Sequence, residues 1–308
     1  TPGANANGVK ELAICALLLA ARNVVGGIAW ANTLTEDVAK QVEKGKSKFA
    51  GTELMGKTLG VIGLGAIGGM IANTAIALGM NVIGHDPYIS VDNAWALSHK
   101  VVHAANDAEV FAKADYLTVH VPLNDKTRGM INADVIAKMK PGAVLLNFSR
   151  NELCVNDDVK AALASGQLSA YVVDFPSDDL LGVEKVVAIP HLGASTEESE
   201  DNCAKMAVKQ VMNYLENGNI VNSVNFPTCD MGVCTKPARV TILHRNIPNS
   251  LGRFTSAIAS DNVNIDGLMN KSRGEYAYTM LDFDQHPSDE VVEHLKQVEG
   301  VLRVRVIK

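Results

Sequence analysis

The first 50 residues contain two helical patterns of opposite character. Residues 8–29 (GVKELAICALLLAARNVVGGIA) are almost continuously apolar, which predicts one long helix buried in a core or in a subunit interface. Residues 33–47 are polar and rich in lysine, and they predict a second, exposed helix. We interpret residues 1–50 as a connecting helix and arm, and we expect a homo-oligomer, either a homodimer or a homotetramer.

From Lys57 onward, short apolar runs alternate with helical stretches. This alternation predicts a parallel sheet with helices on both faces. The predicted strands are residues 58–63, 81–86, 116–122, 143–149, 168–175 and 185–190. The predicted helices are residues 66–79, 106–113, 132–138 and 155–165. A capping box at residues 195–198 (STEE) begins a further helix, which Gly218 ends. Residues 51–221 are therefore predicted to form one doubly wound α/β domain of the Rossmann type.

The last third of the chain has a different order of elements. Residues 222–236 have no hydrophobic period and are predicted to be a linker. Residues 237–308 follow the order strand, helix, strand, strand, helix, strand, which is ferredoxin-like (βαββαβ). These predicted elements are residues 238–244, 248–260, 262–272, 275–284, 288–300 and 301–307. A second, smaller domain is therefore expected at the C-terminal end.

The composition narrows the range of partners. Hydrophobic residues make up 47% of the 308 residues and the formal net charge is −6, so a globular protein is expected and neither a nucleic acid nor a membrane surface is favoured. The longest apolar run, residues 12–21, is too short to span a bilayer. Five cysteines without CxxC spacing, and no visible secretory signal, favour the reducing cytoplasm. No metal is expected.

A glycine-rich loop follows the first predicted strand of the sheet. Gly63, Gly65 and Gly68 form GxGxxG between an apolar strand and a helix. The first glycine allows a tight turn, the second lets the backbone approach a pyrophosphate, and the third lets helix and strand pack closely. The negative phosphates would lie at the positive N-terminus of the helix. This context favours a dinucleotide site over an ordinary strand–turn–helix.

Asp86 ends the next predicted strand, 18 residues after Gly68. A carboxylate at this position accepts hydrogen bonds from the ribose hydroxyls of the adenosine and repels a 2′-phosphate. No arginine or lysine follows it in HDPYIS. The sequence therefore predicts NAD rather than NADP as the cofactor.

Three further strands end in groups that can do chemistry. Arg150 follows the strand 143–149, the aspartates of DFPSDD (174–179) lie at the end of the strand 168–175 or just after it, and His191 follows the strand 185–190. Ligands bind outside the carboxyl ends of the strands in open α/β sheets, so these groups are expected to converge there. A lone histidine is more often structural, but the arginine and the aspartates expected at the same sheet edge make His191 a candidate acid–base. His85 and His120 also end strands and are ranked lower.

The motifs in this order resemble the D-2-hydroxyacid dehydrogenase family, in its branch with a C-terminal ACT domain. The likeness covers essentially the whole chain. It is carried by GANANGVKE (3–11), LGVIGLGAIG (59–68), HVPL (120–123), NFSR (147–150), VVDF (172–175), PHLGAST (190–196), RVTILHRNIPNSLG (239–252) and VNI (263–265).

The resemblance implies three catalytic residues. Arg150 matches the arginine that holds the substrate's carboxylate and carbonyl, and His191 matches the histidine that removes the hydroxyl proton. The family's glutamate, which hydrogen-bonds the histidine, corresponds to Asp179, five residues after Asp174. Two departures bear on the geometry: Asp179 is one methylene shorter than glutamate, and Asn151 stands where a glycine normally follows the arginine.

The resemblance also implies the contacts to NAD. Asp174 is expected to face the nicotinamide carboxamide. The whole cofactor-binding set comprises Gly63, Gly65, Ala66, Ile67, Gly68, Asp86, Val121, Pro122, Phe148, Ser149, Arg150, Asp174, His191, Leu192, Gly193 and Ala194.

In the small domain, the resemblance implies an effector site. His244, Asn246 and Asn264 match a set that binds L-serine at an interface between domains. Amide and imidazole groups can satisfy both charged ends of an amino acid when it leaves water. Strand-end polar residues without a ligand are the alternative, since many ACT domains only dimerise.

The activity implied is oxidation of 3-phosphoglycerate to 3-phosphohydroxypyruvate, with serine feedback. One alternative is another 2-hydroxyacid dehydrogenase, such as a lactate or glyoxylate enzyme. A second alternative is a non-catalytic NAD-binding or effector-binding module. Family members carry a lobe of the substrate domain before the GANAN segment, and that lobe is expected to be missing here because the sequence starts at Thr1.

Overall fold

The computed structural model describes residues 1–259 and 263–307 and divides them into two compact units. The larger unit comprises residues 3–201, and the smaller comprises residues 1–2 and 202–308, of which the described part ends at residue 307. The last residue of the predicted helix 248–260 and the first residue of the predicted strand 262–272 lie outside the described residues.

The larger unit is built on a seven-stranded parallel sheet. Its strands are β1 (Thr58–Ile62), β2 (Asn81–His85), β3 (Val102–His103), β4 (Tyr116–Val119), β5 (Ala143–Asn147), β6 (Leu168–Val173) and β7 (Val186–Ala188). They lie in the order β3-β2-β1-β4-β5-β6-β7, and every neighbouring pair is parallel. The chain reverses its direction of winding between β1 and β4, the point where doubly wound sheets bind their ligands.

Helices cover both faces of this sheet. The helices of the larger unit are α1 (Ala6–Arg22), α2 (Val24–Ala31), α3 (Val38–Gly45), α4 (Ala66–Ala77), α5 (Val91–Ala96), α6 (Asp107–Lys113), α7 (Ala133–Ile136) and α8 (Asn156–Ser165). Apolar side chains of α1 and α4 pack in one core layer, and those of α6, α7 and α8 pack in the other. The strands are apolar on both faces, and the two helical layers shield them from water. The parallel sheet with helices on both faces confirms the predicted fold class.

The predicted helix 8–29 is broken. Asn23 has φ +44°, a left-handed conformation, and it separates α1 from α2 with a bend of 67°. Asparagine tolerates this conformation better than most residues, so the apolar pattern continues while the helix axis turns. Among the described residues, no single helix is long and apolar enough to cross a membrane; the bent pair α1 and α2 meets that test of length and composition only when taken together.

The smaller unit begins within the last helix of the predicted α/β domain, α9 (Glu197–Asn217). The backbone N–H of Ser199 donates to Thr196 Oγ1 at 3.1 Å, so the helix is capped by Thr196, one residue after the Ser195 of the predicted capping box. Further on lie β8 (Ala238–Arg245), α10 (Ser250–Ile258), β9 (Ile265–Arg273), β10 (Tyr276–Phe283), α11 (Asp289–Gln297) and β11 (Val301–Val306). These strands form an antiparallel sheet in the order β11-β8-β10-β9, with α10 and α11 packed on one face.

The segment predicted to be a linker is folded. Ile220 and Cys229 form an antiparallel bridge, and both side chains pack with Tyr278 and Met280 on the sheet face away from α10 and α11. Buried Arg239 fixes the same segment: it donates to the carbonyls of Asn217 and Gly232 and forms a two-point ion pair with Asp282 at 2.6 and 2.8 Å. Residues 218–234 are therefore folded against the sheet of the smaller unit.

Candidate active site

The three glycines of the loop after β1 meet different neighbours. Gly63 has φ +88°, and a Cβ added there would lie 2.5 Å from the carbonyl oxygen of His120. A Cβ on Gly68 would lie 1.9 Å from the carbonyl oxygen of Gly63. A Cβ on Gly65 would meet no atom within 4 Å. The fold itself therefore requires Gly63 and Gly68, whereas Gly65 leaves open space at the N-terminus of α4, where Ala66 and Ile67 begin the helix.

Asp86 lies directly after β2 and braces this loop. Its Oδ2 accepts the backbone N–H of Leu64 at 2.9 Å, and its Oδ1 accepts the backbone N–H of Tyr88 at 2.9 Å. Within residues 1–259 and 263–307, Asp86 has no basic side-chain partner. A carboxylate that is held by backbone donors and is not neutralised suits ribose hydroxyls and opposes a 2′-phosphate.

Val121 and Pro122 follow β4 beside the glycine loop. The hydroxyl of Thr127 donates to the Pro122 carbonyl at 2.7 Å, which fixes the turn. His120 precedes them and hydrogen-bonds Thr118 Oγ1 through Nε2 at 2.8 Å. Burial lowers the pKa of His120 to about 4, so its imidazole is neutral at physiological pH. His120 is therefore a poor acid–base, in line with its lower ranking.

A buried amide that the sequence analysis missed organises the segment after β5. Asn147 is 0% exposed. Its Nδ2 donates to the Arg150 carbonyl at 2.8 Å, and its Oδ1 accepts the backbone N–H of Ser149 at 3.2 Å. Ser149 Oγ in turn donates to the Val119 carbonyl at 2.8 Å. The signal available in the sequence was an asparagine as the last residue of the otherwise apolar run AVLLN.

Arg150 leaves this segment with an exposed side chain. Its Nη1 donates to the Ser149 carbonyl at 2.6 Å, and its guanidinium carbon lies 5.5 Å from the centroid of the Phe175 ring. Asn151 begins a 3₁₀ turn, Asn151–Leu153, and is not among the residues with positive φ. The backbone therefore does not require the glycine that normally follows the family's arginine.

Asp174 lies at the end of β6 and is 2% exposed. Among the described residues, its Oδ1 has no hydrogen-bond partner. Burial raises the pKa of this carboxyl to about 6, although the Arg150 charge acts in the opposite direction. A Cβ on Gly193 would lie 3.4 Å from Asp174 Oδ2, a van der Waals contact, so the loop after β7 passes close to this carboxylate.

His191 lies on the loop after β7, next to the same aromatic ring as Arg150. The centroids of the His191 and Phe175 rings are 4.1 Å apart. The loop continues through Leu192, Gly193 and Ala194, and the backbone N–H of Ser195 donates to the Leu192 carbonyl at 3.0 Å. The structure thus brings together Arg150 and His191, as the sequence predicts.

Asp179 does not make the contact expected of it. Its carboxylate accepts hydrogen bonds from Ser177 Oγ at 2.6 Å, Lys160 Nζ at 3.0 Å and Asn156 Nδ2 at 3.2 Å. These donors, the Ser177 hydroxyl first, lower the pKa of Asp179 to about 2. The side chain is therefore directed to α8 and its own loop, and in the described residues the His191 ring has no hydrogen bond. The expected aspartate–histidine pair is absent from this arrangement.

The effector residues do not converge within one copy. His244 is buried and uses both ring nitrogens, one toward the Arg245 carbonyl and one toward Thr279 Oγ1. Asn246 Nδ2 donates to the Gly274 carbonyl beyond the start of β10, whereas the Asn264 backbone pairs with Asp284 beyond the end of β10. Because β10 has eight residues, these two asparagines lie roughly 25 Å apart.

A parallel sheet with a dinucleotide loop, and a cation and an imidazole at its carboxyl edge, is the arrangement of a dinucleotide-binding domain. The model of the family "D-isomer specific 2-hydroxyacid dehydrogenase, NAD binding domain" matches residues 16–193. The chain belongs to this family, and NAD is its cofactor.

Two curated relatives are both called D-3-phosphoglycerate dehydrogenase. The protein from Methanocaldococcus jannaschii is 37% identical over 240 residues, which are 75% of this chain and 44% of the relative. The protein from Haemophilus influenzae is 28% identical and covers 99% of this chain and 74% of the relative. The chain thus spans only part of these relatives, less than half of the first.

Two solved structures of dehydrogenases are similar to this chain. D-mandelate dehydrogenase of Rhodotorula graminis has a TM-score of 0.65 at 25% identity, over 75% of this chain and 67% of that chain. The NAD⁺-bound 3-phosphoglycerate dehydrogenase of Entamoeba histolytica has a TM-score of 0.56 at 26% identity, over 73% of this chain and 66% of that chain.

Proposed function

We propose that this chain carries the NAD-binding and catalytic core of an enzyme that oxidises 3-phospho-D-glycerate to 3-phosphohydroxypyruvate, the first step of serine biosynthesis. The observation that carries the proposal is the meeting of Arg150 and His191 on one ring, Phe175. The sheet edge involved is the one that bears the glycine loop. The choice of substrate rests on the names of the relatives.

In this reaction, His191 accepts the proton of the C2 hydroxyl while the hydrogen on C2 leaves as hydride, so that the alcohol becomes a ketone. Bound NAD⁺ supplies the hydride acceptor. Arg150 attracts the substrate carboxylate and the oxygen on C2, because its guanidinium is a permanently charged donor. In the reverse direction, protonated His191 returns the proton to the ketone oxygen.

Asp174 is proposed to receive the nicotinamide carboxamide. A buried carboxylate oxygen without a partner is unfavourable until a donor reaches it, and an amide N–H is such a donor. Asp86 would hold the adenosine ribose, and the N-terminus of α4 would face the phosphates.

The test compares two histidines at strand ends of the same sheet. NADH formation is measured with 3-phosphoglycerate for the chain, for His191→Gln and for His103→Gln, whose histidine ends β3. His191→Gln is expected to lower kcat by roughly 10²- to 10⁴-fold, far more than it raises the Kd for NAD, and His103→Gln to change neither. Equal kcat for all three proteins would contradict the role of His191.

Substrate choice separates the rival functions. Faster NADH formation with D-lactate or glycolate than with 3-phosphoglycerate would identify another 2-hydroxyacid dehydrogenase. NAD binding without NADH formation from any 2-hydroxyacid would identify a non-catalytic binding module.

Serine feedback is a separate proposal. Since Asn246 and Asn264 lie at opposite ends of β10, one serine could contact both only where two copies meet, so the site requires at least a homodimer. Serine is expected to raise the Tm of the dimer, and Asn246→Ala to abolish this rise without changing the Tm in its absence. A serine response in a protein that sedimentation shows to be monomeric would contradict the shared site.

A further inference from the structure

We propose that Phe175 is a positioning residue for the reaction, with its ring holding the Arg150 guanidinium and the His191 imidazole in one fixed arrangement. The inference rests on the proposed function, because it assigns a role beside the two groups that carry that function. A half-buried phenylalanine could otherwise be read as part of the core.

The contacts of the three side chains carry the argument. The Phe175 and His191 rings have a centroid distance of 4.1 Å and an interplanar angle of 41°. The Arg150 guanidinium carbon lies 5.5 Å from the same Phe175 centroid. Both polar side chains are exposed, and over residues 1–259 and 263–307 the His191 ring makes no hydrogen bond. The contact with Phe175 is therefore the interaction that limits the orientation of this imidazole.

The ring itself is anchored on both sides along the chain. Phe175 follows buried Asp174 at the end of β6 and packs against the core layer that contains α6, α7 and α8. Four residues further on, the loop is tied to α8 by the hydrogen bonds of Asp179 to Asn156 and Lys160. A ring fixed in this way can orient flexible groups that touch it.

The contact between Phe175 and His191 is expected to strengthen during the reaction. The face of an aromatic ring attracts a cation. Arg150 is always charged, and His191 becomes charged when it accepts the hydroxyl proton. The attraction between Phe175 and His191 therefore grows as the reaction proceeds, and an interaction that is stronger later in the reaction raises kcat rather than lowering KM.

The role predicts a difference between aromatic and aliphatic replacements. Phe175→Tyr keeps the ring and its face, whereas Phe175→Leu and Phe175→Met keep apolar volume without a ring. Two aliphatic variants are used so that the comparison remains possible if one of them does not fold. If Phe175 only filled the core, all three replacements would behave alike once folded.

The experiment has one readout that needs turnover and one that does not. The first is kcat and KM with 3-phosphoglycerate. The second is the rate at which diethyl pyrocarbonate modifies His191, measured by peptide mass spectrometry, with His103 in the same molecule as the internal control. Circular dichroism and the Kd for NAD verify that each variant is folded.

The aliphatic variants are expected to lower kcat by about 10- to 100-fold with KM nearly unchanged. They are also expected to speed modification of His191 several-fold but not that of His103, while Phe175→Tyr restores both values. Unchanged reactivity of His191 in a folded aliphatic variant would overturn the proposal. Faster modification in a chain that oxidises no hydroxyacid would support the positioning role and refute the proposed function instead.

Discussion

The two units differ in whether their buried polar side chains all have hydrogen-bond partners. In the described residues, the buried side-chain atoms without a hydrogen-bond partner are His120 Nδ1, Asn151 Oδ1, Asn156 Oδ1 and Asp174 Oδ1. All four belong to the larger unit, and they follow or adjoin the carboxyl ends of its strands. In the smaller unit, buried Arg239, Asp282 and His244 all have partners.

This difference indicates that the larger unit has buried polar groups available to a ligand, whereas the buried polar groups of the smaller unit are already paired within the protein. An unpaired buried polar group costs free energy, which is usually retained only where something compensates it. Two of the unpaired groups of the larger unit, on His120 and Asp174, lie at or beside residues that are proposed to bind NAD. The smaller unit uses its polar groups to join residues 217–234 to its sheet. Substitutions should therefore change ligand binding in the first region and stability in the second.

The largest effect is expected at Arg239. Arg239→Met leaves Asp282 buried without its counter-ion and removes the guanidinium that donates to the Asn217 and Gly232 carbonyls, so the smaller unit should lose about 3–5 kcal/mol of unfolding free energy. Urea unfolding measures this loss, and the Kd for NAD should not change.

Arg245→Met is the matched control for that substitution. Arg245 is on the same strand and pairs with Glu275 at 3.0 Å, but both side chains are exposed. Exposed pairs contribute about 0–1 kcal/mol. Equal losses for Arg239→Met and Arg245→Met would show that burial is not what gives the Arg239 pair its importance.

The next effect separates two glycines of one loop. Gly68→Ala brings a Cβ into the Gly63 carbonyl and should destabilise the larger unit by about 1–3 kcal/mol. Gly65→Ala meets no atom within 4 Å, so stability should hold within about 0.5 kcal/mol while NAD binds at least roughly tenfold more weakly. Thermal unfolding and titration calorimetry measure the two quantities. Undiminished NAD affinity in Gly65→Ala would place the pyrophosphate elsewhere.

A smaller effect is expected at Asp174, and it depends on pH. The pKa of about 6 lies above the ordinary value near 4, so this carboxyl favours folding below pH ~4 and that contribution is lost as pH rises through 6. Without NAD, Asp174→Asn should therefore stabilise the chain more at pH 8 than at pH 4, by up to about 3 kcal/mol.

Unfolding in urea at both pH values provides the measurement for Asp174. Asp178→Asn is the control, because its carboxylate is exposed on the same loop. A stability difference for Asp174→Asn that is the same at both pH values would contradict the burial argument.

The smallest effect is expected at Asp179. Since Asp179 is exposed and its partners on α8 are only half-buried, Asp179→Asn should cost less than about 1 kcal/mol and lower kcat less than tenfold. Steady-state kinetics measures kcat for Asp179→Asn, with Asp178→Asn as the control. A loss of about 10²-fold in kcat for Asp179→Asn alone, with unchanged stability, would restore it as the acid that orients His191.

The sequence was most informative where local pattern and chemistry coincide. The strand–helix alternation predicted the parallel sheet. The spacing of the loop predicted which glycines the backbone requires, and strand ends predicted that Arg150 and His191 converge. Each of these depends on a few neighbouring residues and on the rule that parallel strands carry ligands at one edge.

The features that the sequence did not predict depend on contacts between segments that are distant along the chain, or on the conformation of a single residue. Asp179 is directed to Asn156 and Lys160, which lie 23 and 19 residues earlier on another element. Hydrophobic periodicity does not report such a pairing. Nor does it report a single left-handed residue, Asn23, within a continuously apolar stretch. The separation of Asn246 and Asn264 follows from antiparallel strand register, which is fixed only once the strands are paired.

The folded segment 218–234 changes how the chain could be dissected. Its sequence resembles a spacer, and the boundary chosen from sequence would be a cut after Lys236. Such a cut would remove Asn217, Asn219 and Gly232, whose oxygens lie on the Arg239 guanidinium, and it would strip Ile220 and Cys229 from one sheet face. A protein engineer who wants the smaller unit alone, or wants to transplant it onto another enzyme, therefore has to take the end of α9 with it.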